Sequence, residues 1–235
     1  MNKLFTFGCS FTENFSSYND INNPVPQSRY IFEILNGIVP DGWTDIVSKK
    51  LNYEQKNYSR GGESNYGIFS QFCEHCHEFS ENDIVIVQWT FVQRFRWPNI
   101  ENKWSSRLPG YFSNYDGITQ DTYEEILVNR THKLWYDEIY EYEKIIDRLC
   151  FLNNCKVFYL SFDDNLIYIL PDEIKSQKKY IFGDSVNNGI YSYMSKNGVK
   201  SINEETNGKI NDGHLGKIGH EIFGNLIYNY IKQNI

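Results

Sequence analysis

Short apolar runs alternate along the chain with longer stretches in which apolar residues recur at helical spacing. The apolar runs at residues 4–7, 83–89 and 156–161 predict strands that are covered on both faces, as in the middle of a parallel sheet. The mixed segment at residues 54–58 predicts one more strand, and residues 180–182 predict a very short one.

Amphipathic stretches predict helices at residues 41–51, 64–79, 122–153 and 215–235, and the third is long enough to be interrupted. Strands that alternate with helices in this way are typical of a parallel sheet with helices on both faces. The sequence therefore predicts an α/β fold, a three-layer flavodoxin-like sandwich with a central parallel sheet.

No linker or break in composition divides the chain, which predicts a single domain over residues 1–235. Residues 14–40 carry clusters of Asn, Ser and Pro and predict a long loop. Residues 91–121 are rich in aromatic side chains without clear periodicity and predict an irregular insertion that either packs on the sheet or shapes a substrate cleft. Within this insertion, Arg94 is a candidate substrate-binding residue.

The composition, with 40% hydrophobic and 23% charged residues, is that of an ordinary globular domain. The excess of 30 acidic over 23 basic residues gives a net charge of −7, which argues against a nucleic-acid partner. No apolar run is long enough to span a membrane, and the N-terminal one is too short for a signal peptide. Five irregularly spaced cysteines predict a reducing, cytoplasmic location rather than a disulfide framework.

Polar and small residues follow three of the predicted strands. Ser10 comes after the first strand, Gly62 after the second and Thr90 after the third. Asp212 and His214 immediately precede the last predicted helix. Because ligands of such sheets bind at the carboxyl ends of the strands, these residues are candidates for one site.

The residue types at these points suit acyl transfer. A serine hydroxyl such as that of Ser10 is a weak nucleophile unless a base removes its proton, and His214 is the candidate base. Asp212 is the candidate acid that orients the imidazole. The backbone N–H of Gly62 can approach a substrate oxygen closely, because glycine has no Cβ in the way, as an oxyanion hole requires.

The order and context of these segments resemble the SGNH (GDSL-type) hydrolase superfamily. Gly8-Cys9-Ser10 is similar to its nucleophile block, with Cys where Asp is common, and Gly62 follows Asn57 as in its second block. Asp212-Gly213-His214 resembles its last block. The resemblance implies that Ser10 is the nucleophile and that the reaction passes through an acyl-enzyme.

Two positions depart from the pattern of that superfamily. Its third block places an Asn after the third strand, whereas this chain has Thr90 there, so the third oxyanion donor is either Thr90 or the nearby Asn65. Its commoner spacing would make Asn211 the acid partner of His214. We favour Asp212, because a carboxylate stabilises an imidazolium better than an amide does.

Two cysteine motifs are alternative candidate centres. Cys73 and Cys76 form a lone Cys-x-x-Cys motif on a predicted helix, which favours core packing over a zinc site. Cys9 is adjacent to Ser10, and the alternation of a strand turns its side chain away from that of Ser10. We therefore expect neither a metal nor another cofactor.

The resemblance implies a serine esterase that hydrolyses an O-acyl group, such as acetyl, on a carbohydrate or another small molecule. One alternative is an O-acyltransferase that uses the same residues with a different acceptor. A second alternative is a non-catalytic SGNH-like binding module, because the third block lacks its Asn.

Overall fold

The strands found among the described residues belong to two sheets. The structure is a computed structural model and describes residues 1–13, 40–91, 93–98, 100–101, 104–107, 119–129, 132–162, 179–183 and 190–235. The strands are β1 (Lys3–Phe7), β2 (Glu54–Asn57), β3 (Ile84–Trp89), β4 (Phe95–Pro98), β5 (Trp104–Arg107) and β6 (Lys156–Ser161). The helices are α1 (Trp43–Leu51), α2 (Asn65–His75), α3 (Gln120–Asn129), α4 (His132–Leu152), α5 (Ile190–Lys196), α6 (Ile202–Glu205) and α7 (Lys217–Asn234).

The central sheet is parallel and has the strand order β2-β1-β3-β6. β1 is an inner strand, and its Phe5 pairs with Lys56 on one side and with Val85 on the other. This order and the helices on both sides confirm the predicted three-layer, flavodoxin-like sandwich.

The two faces of the sheet build two separate hydrophobic clusters. Alternate residues such as Phe5, Phe7 and Val87 face one cluster, which also contains residues of α2 and α4. Their neighbours along the strands, such as Leu4 and Ile86, face a second cluster that contains residues of α1 and α7. Since successive side chains of a strand point to opposite faces, each apolar run contributes side chains to both hydrophobic clusters.

Local hydrogen bonds fix where the helices next to the site begin. The Ser64 hydroxyl accepts a hydrogen bond from the Gly67 N–H, 3.1 Å away, and so caps α2. The Glu205 carboxylate accepts one from the Gly219 N–H at 2.8 Å in the first turn of α7. An anion is favoured there by the partial positive charge of the helix N-terminus. These caps set the positions of the loops that precede the two helices.

The remaining expectations have mixed outcomes. Within the segment predicted to be irregular, β4 and β5 form an antiparallel hairpin. The long region predicted over residues 122–153 contains two helices, α3 and α4. Residues 180–182 contribute a single parallel bridge from Tyr180 to Tyr159 rather than a strand. The loop predicted at residues 14–40 lies outside the described residues except for Pro40.

Candidate active site

Ser10 lies in the tight turn that follows β1. The backbone N–H groups of Thr12 and Glu13 both donate to the carbonyl oxygen of Cys9, at 2.9 and 3.1 Å. The indole N–H of Trp43, at the start of α1, donates to the Phe11 carbonyl at 2.8 Å. The turn is therefore held by its own backbone and by the first residue of α1.

The side chains of Ser10, His214 and Asp212 form a continuous hydrogen-bonded chain. Ser10 Oγ lies 2.7 Å from His214 Nε2, although 204 positions separate the two residues in the sequence. His214 Nδ1 lies 2.5 Å from Asp212 Oδ1. The Asp212 side chain is 8% exposed and that of His214 is 32% exposed, so the acid is shielded while the imidazole is open to a substrate. This arrangement allows proton transfer from a serine hydroxyl to an imidazole whose tautomer is fixed by a carboxylate.

The loop that carries Asp212 and His214 is held by the start of α6. The backbone N–H of Ile202 donates to the His214 carbonyl at 2.8 Å, and that of Asn203 donates to the Asp212 carbonyl at 3.0 Å. These N–H groups have no partner within their own helix, so they are available to bind the loop. The Asn211 side chain accepts a hydrogen bond from the Asn203 amide at 3.1 Å, whereas Asp212 contacts the imidazole.

The imidazole of His214 packs against an aromatic side chain next to Ser10. The ring centroids of Phe11 and His214 are 4.7 Å apart, and Phe11 in turn stacks on Phe162 at 4.5 Å. Phe162 directly follows β6. This packing restrains the imidazole from one side and ties its position to the sheet.

The glycine pair after β2 lies beside the Ser10 turn. The Arg60 N–H donates to the Gly8 carbonyl at 3.1 Å, which joins the two loops. A Cβ added at Gly61 would lie 3.8 Å from the Cβ of Ser10 and 2.8 Å from Glu13 Oε2, so this position has little room for a side chain. Gly62 has a φ of +79°, a conformation that glycine adopts without strain.

Thr90 and Asn65, the two candidates for the third oxyanion donor, are hydrogen-bonded to each other. The Asn65 amide accepts from the Thr90 N–H at 2.8 Å and donates to the Thr90 carbonyl at 3.1 Å. The Thr90 hydroxyl oxygen lies 3.5 Å from Arg94 Nη1, which also lies 3.3 Å from the Glu63 carbonyl. Asn65 thus binds both backbone groups of Thr90. The Arg94 side chain contacts the loop that follows β2 as well as Thr90, which follows β3.

A buried carboxyl group lies beneath this part of the sheet. Glu143 Oε1 accepts a hydrogen bond from Trp89 Nε1 at 2.8 Å and another from the Tyr180 hydroxyl. Burial raises the pKa of the Glu143 carboxyl to about 7, although both hydrogen bonds oppose the rise. Trp89 is the last residue of β3 and immediately precedes Thr90. The Glu143 carboxyl is therefore hydrogen-bonded to the neighbour of a candidate oxyanion donor.

Neither the Cys73–Cys76 pair nor the Cys9 thiol contacts the imidazole of His214 in the hydrogen bonds of the described residues. Cys76 Sγ donates to the Cys73 carbonyl at 3.3 Å, and His75 pairs with Glu78 at 2.7 Å. Within the part of the chain that the structure describes, no three His, Cys, Asp or Glu residues are grouped so that they could hold a metal ion. Cys9 is buried, and its thiol donates to the side chain of Gln88 at 3.2 Å.

No helix found among the described residues has the length and apolar character needed to cross a bilayer.

Sequence reasoning missed three residues that shape the site: Phe11, Gln88 and Asn203. Nothing in the sequence distinguishes Phe11 or Asn203, because the first is an ordinary apolar residue and the second contributes a backbone N–H. Gln88 did carry a signal, since it is an amide within an apolar strand and buried amides need partners.

Several solved structures are similar to this chain. The protein YXIM of Bacillus subtilis matches 99% of this chain at 16% identity with a TM-score of 0.53, and the chain spans 56% of its length. A lipolytic protein of the G-D-S-L family from Veillonella parvula matches at 14% identity over 99% of this chain and 100% of its own, with a TM-score of 0.42. The acetyl xylan esterase Est2A from Butyrivibrio proteoclasticus matches at 13% identity over 99% of this chain and 64% of its own, with a TM-score of 0.44.

Sequence comparison alone gives no relative. No protein-family model matches the chain, and no curated protein matches it in sequence. At 16% identity, the likeness to the Bacillus subtilis protein shows the fold. It agrees with the parallel strand order, and together they confirm the α/β architecture that the alternation of strands and helices predicted.

Proposed function

We propose that the protein is a serine esterase of the SGNH type that hydrolyses a small ester through an acyl-enzyme intermediate. The observation that carries the proposal is the chain of contacts from Ser10 Oγ to His214 Nε2 and from His214 Nδ1 to Asp212 Oδ1. A nucleophile, a base and an orienting acid in hydrogen-bond contact are what acyl transfer by serine requires.

In the first half of the reaction, Ser10 Oγ attacks the ester carbonyl carbon while its proton passes to His214 Nε2. Asp212 accepts the Nδ1–H hydrogen bond and stabilises the imidazolium that forms. The tetrahedral intermediate collapses as His214 returns the proton to the leaving alkoxide, which departs as the alcohol. In the second half, His214 takes a proton from water and the hydroxide attacks the acyl carbonyl. The bond from the carbonyl carbon to Ser10 Oγ then breaks, the carboxylic acid leaves, and His214 returns the proton to Ser10.

The negative charge that develops on the carbonyl oxygen needs hydrogen-bond donors. We assign this role to the backbone N–H groups of Ser10 and Gly62 and to the hydroxyl of Thr90. We favour Thr90 over Asn65 because the Asn65 amide uses its oxygen and one of its two N–H groups to bind the Thr90 backbone. Arg94 Nη1 donates to the Thr90 hydroxyl oxygen, so the hydroxyl proton of Thr90 points away from the guanidinium. One such donor is typically worth about 3–4 kcal/mol of the barrier.

The proposed substrate is an O-acylated carbohydrate or a similar small ester. The Tyr66 side chain, which follows Asn65 in α2, is 49% exposed. The guanidinium of Arg96 lies 5.9 Å from the centroid of its ring. An exposed aromatic face with a nearby cationic donor suits a sugar ring, which has both apolar and hydroxyl-bearing surfaces. The cytoplasmic location stays a prediction from the cysteine count.

The proposal is tested by burst release of p-nitrophenol from p-nitrophenyl acetate and by covalent labelling with a fluorophosphonate. We expect the wild type to release a burst and to be labelled at Ser10, and Ser10→Ala to do neither. Ser59→Ala is the matched control, because Ser59 is a buried serine of the neighbouring loop whose hydroxyl has no hydrogen-bond partner within the described part of the chain.

Other outcomes would favour the alternatives. If the wild type behaves like Ser10→Ala in both assays, the esterase proposal is wrong and a binding module is favoured. If an added sugar captures the acyl group in place of water, the same residues catalyse acyl transfer to an alcohol.

A further inference from the structure

A buried glutamine lies directly beneath the turn that carries Ser10. Gln88, near the end of β3, is fully buried. Its Oε1 accepts hydrogen bonds from the Cys9 N–H at 3.1 Å, the Cys9 thiol at 3.2 Å and the Thr12 hydroxyl at 3.1 Å. Its amide nitrogen donates to the Trp89 carbonyl. One side-chain oxygen from the neighbouring strand therefore holds the residues on both sides of Ser10.

The close packing around this oxygen depends on Gly8. A Cβ added at Gly8 would lie 2.9 Å from Gln88 Oε1 and 2.7 Å from Thr12 Oγ1, closer than side-chain atoms normally approach. The glycine thus leaves the space in which Gln88 and Thr12 meet beneath the backbone. The two residues before Ser10 are therefore adapted to the Gln88 contact, Gly8 by its lack of a side chain and Cys9 by its two donors.

We propose that Gln88 is a positioning residue for the nucleophile, a role that rests on the proposed function of Ser10. Its oxygen fixes the orientation of the turn and so maintains the 2.7 Å contact between Ser10 Oγ and His214 Nε2. Without this acceptor, the Cys9 N–H and the Thr12 hydroxyl are buried donors without a partner, and the turn shifts to satisfy them. A displacement of the nucleophile by about 1 Å is enough to slow catalysis by about a hundredfold.

The neutrality of Gln88 is part of this role. A carboxylate at this position would accept the same three hydrogen bonds, but its negative charge would oppose the oxyanion that forms beside Ser10. A protonated carboxyl would reproduce the amide, with one oxygen that accepts and a hydroxyl that donates to the Trp89 carbonyl. The variant Gln88→Glu is therefore expected to be active when its carboxyl is neutral and to lose activity as the carboxyl ionises.

The test compares Gln88→Met with Gln71→Met, which replaces a buried glutamine of α2 whose amide donates to Glu74, away from the turn. Both changes keep the side-chain length and remove the amide. With p-nitrophenyl acetate and a fluorophosphonate, we expect Gln88→Met to lower kcat and the labelling rate about tenfold to a hundredfold, with KM within about threefold. We expect Gln71→Met to leave both rates within about twofold and to lower the melting temperature less than Gln88→Met does, because Gln71 makes a single long hydrogen bond among the described residues.

Gln88→Glu separates positioning from a merely structural role and serves if Gln88→Met does not fold. Its activity relative to the wild type, measured at each pH on protein shown to be folded, is expected to fall as the pH rises. Labelling of folded Gln88→Met at the wild-type rate, or a Gln88→Glu to wild-type ratio that is independent of pH, would overturn the inference. A wild type that is itself unlabelled would instead overturn the nucleophile assignment and this role together, so the two failures are distinguishable.

Discussion

The two sides of Ser10 are built in different ways. On the acid–base side, Asp212 and His214 lie two positions apart in one loop, and the N–H groups of α6 hold that loop. On the oxyanion side, the candidate donors Gly62 and Thr90 lie in the loops that follow two different strands. The acid–base pair can therefore be recognised from a short stretch of sequence, whereas the oxyanion side exists only once the sheet has brought separate segments together.

The difference also shows in how each side tolerates change. In the proposed mechanism, the acid–base side depends on one geometry, the line from Asp212 through His214 to Ser10, so the loss of any member is expected to cause a large fall in rate. In the same proposed mechanism, the oxyanion side has several donors whose contributions add, so the loss of one is expected to reduce the rate without abolishing it. The predictions that follow test this contrast, from the largest expected effect to the smallest.

Asp212→Asn is expected to have the largest effect, a fall in kcat of about a thousandfold or more with KM little changed. The amide can hold His214 in the wrong tautomer and no longer stabilises the imidazolium. Asn211→Ala is the matched control, because Asn211 bonds to Asn203 rather than to the imidazole, and its kcat is expected to stay within about threefold of the wild type. Equal losses in the two variants in steady-state assays would show that the acid is not Asp212 alone.

Thr90→Val is expected to lower kcat about a hundredfold, because it removes one oxyanion donor while it keeps the shape of the side chain. The control is Thr6→Val, which replaces a fully buried threonine of β1 whose hydroxyl has no partner within the described part of the chain, and its kcat should stay close to that of the wild type. An unchanged kcat in Thr90→Val would exclude Thr90 as the third donor and return the assignment to Asn65.

Gly62→Ala is expected to lower kcat about tenfold, because an alanine at a φ of +79° costs about 1–2 kcal/mol and the backbone N–H shifts as the strain relaxes. Gly208→Ala is a close match: Gly208 has a φ of +78°, and a Cβ at either position meets no heavy atom of the described residues within 4 Å. Thermal unfolding should reveal similar destabilisation in both variants, with the loss of activity confined to Gly62→Ala. A loss of activity in both would assign the effect to stability.

Glu143→Gln is expected to have the smallest effect on activity and a clear effect on the pH dependence of stability. The pKa of this carboxyl is about 7 in the folded protein against an ordinary 4.5, so its stabilising contribution is present at low pH and is lost as the pH rises towards 7 and above. The glutamine introduced by this change keeps the acceptor oxygen but does not titrate. The variant should therefore gain about 3 kcal/mol of unfolding free energy relative to the wild type between pH 4.5 and pH 8.

Glu141→Gln is the control for this measurement. Glu141 lies on the same helix, is 65% exposed and pairs with Lys144, so its replacement should change the unfolding free energy by no more than about 1 kcal/mol at any pH. Urea unfolding at several pH values gives the two curves. Parallel curves for Glu143→Gln and the wild type would contradict the raised pKa of Glu143.

The main elements of the fold were predictable because each inner strand is an apolar run and each flanking helix has a helical stripe. β3 was predicted at residues 83–89 and spans Ile84–Trp89, and the terminal helix was predicted at residues 215–235 and spans Lys217–Asn234. The hairpin of β4 and β5 was missed, since its short strands carry no clear alternation and their pairing depends on contacts between them. Residues 180–182 make only a bridge, in which Tyr180 pairs with Tyr159 on the edge strand β6.

The candidate site was predictable where chemistry depends on residue type and not where it depends on packing. Ser10, Asp212 and His214 are recognisable by type and position, and the structure brings them into contact. The clamp of Asn65 on the Thr90 backbone follows from the relative placement of α2 and β3, which no local pattern encodes. For the same reason, the ring of Phe11 beside the imidazole could not be foreseen.

The inner position of β1 has a consequence for how activity develops during folding. This strand precedes β2 and β3 along the chain, yet it lies between them in the sheet. Parallel pairing of this kind joins residues far apart in sequence and forms late because loop closure is slow. Regain of the proposed esterase turnover after dilution from denaturant should therefore lag behind the recovery of helical circular dichroism, so that its time course reports when the sheet is complete.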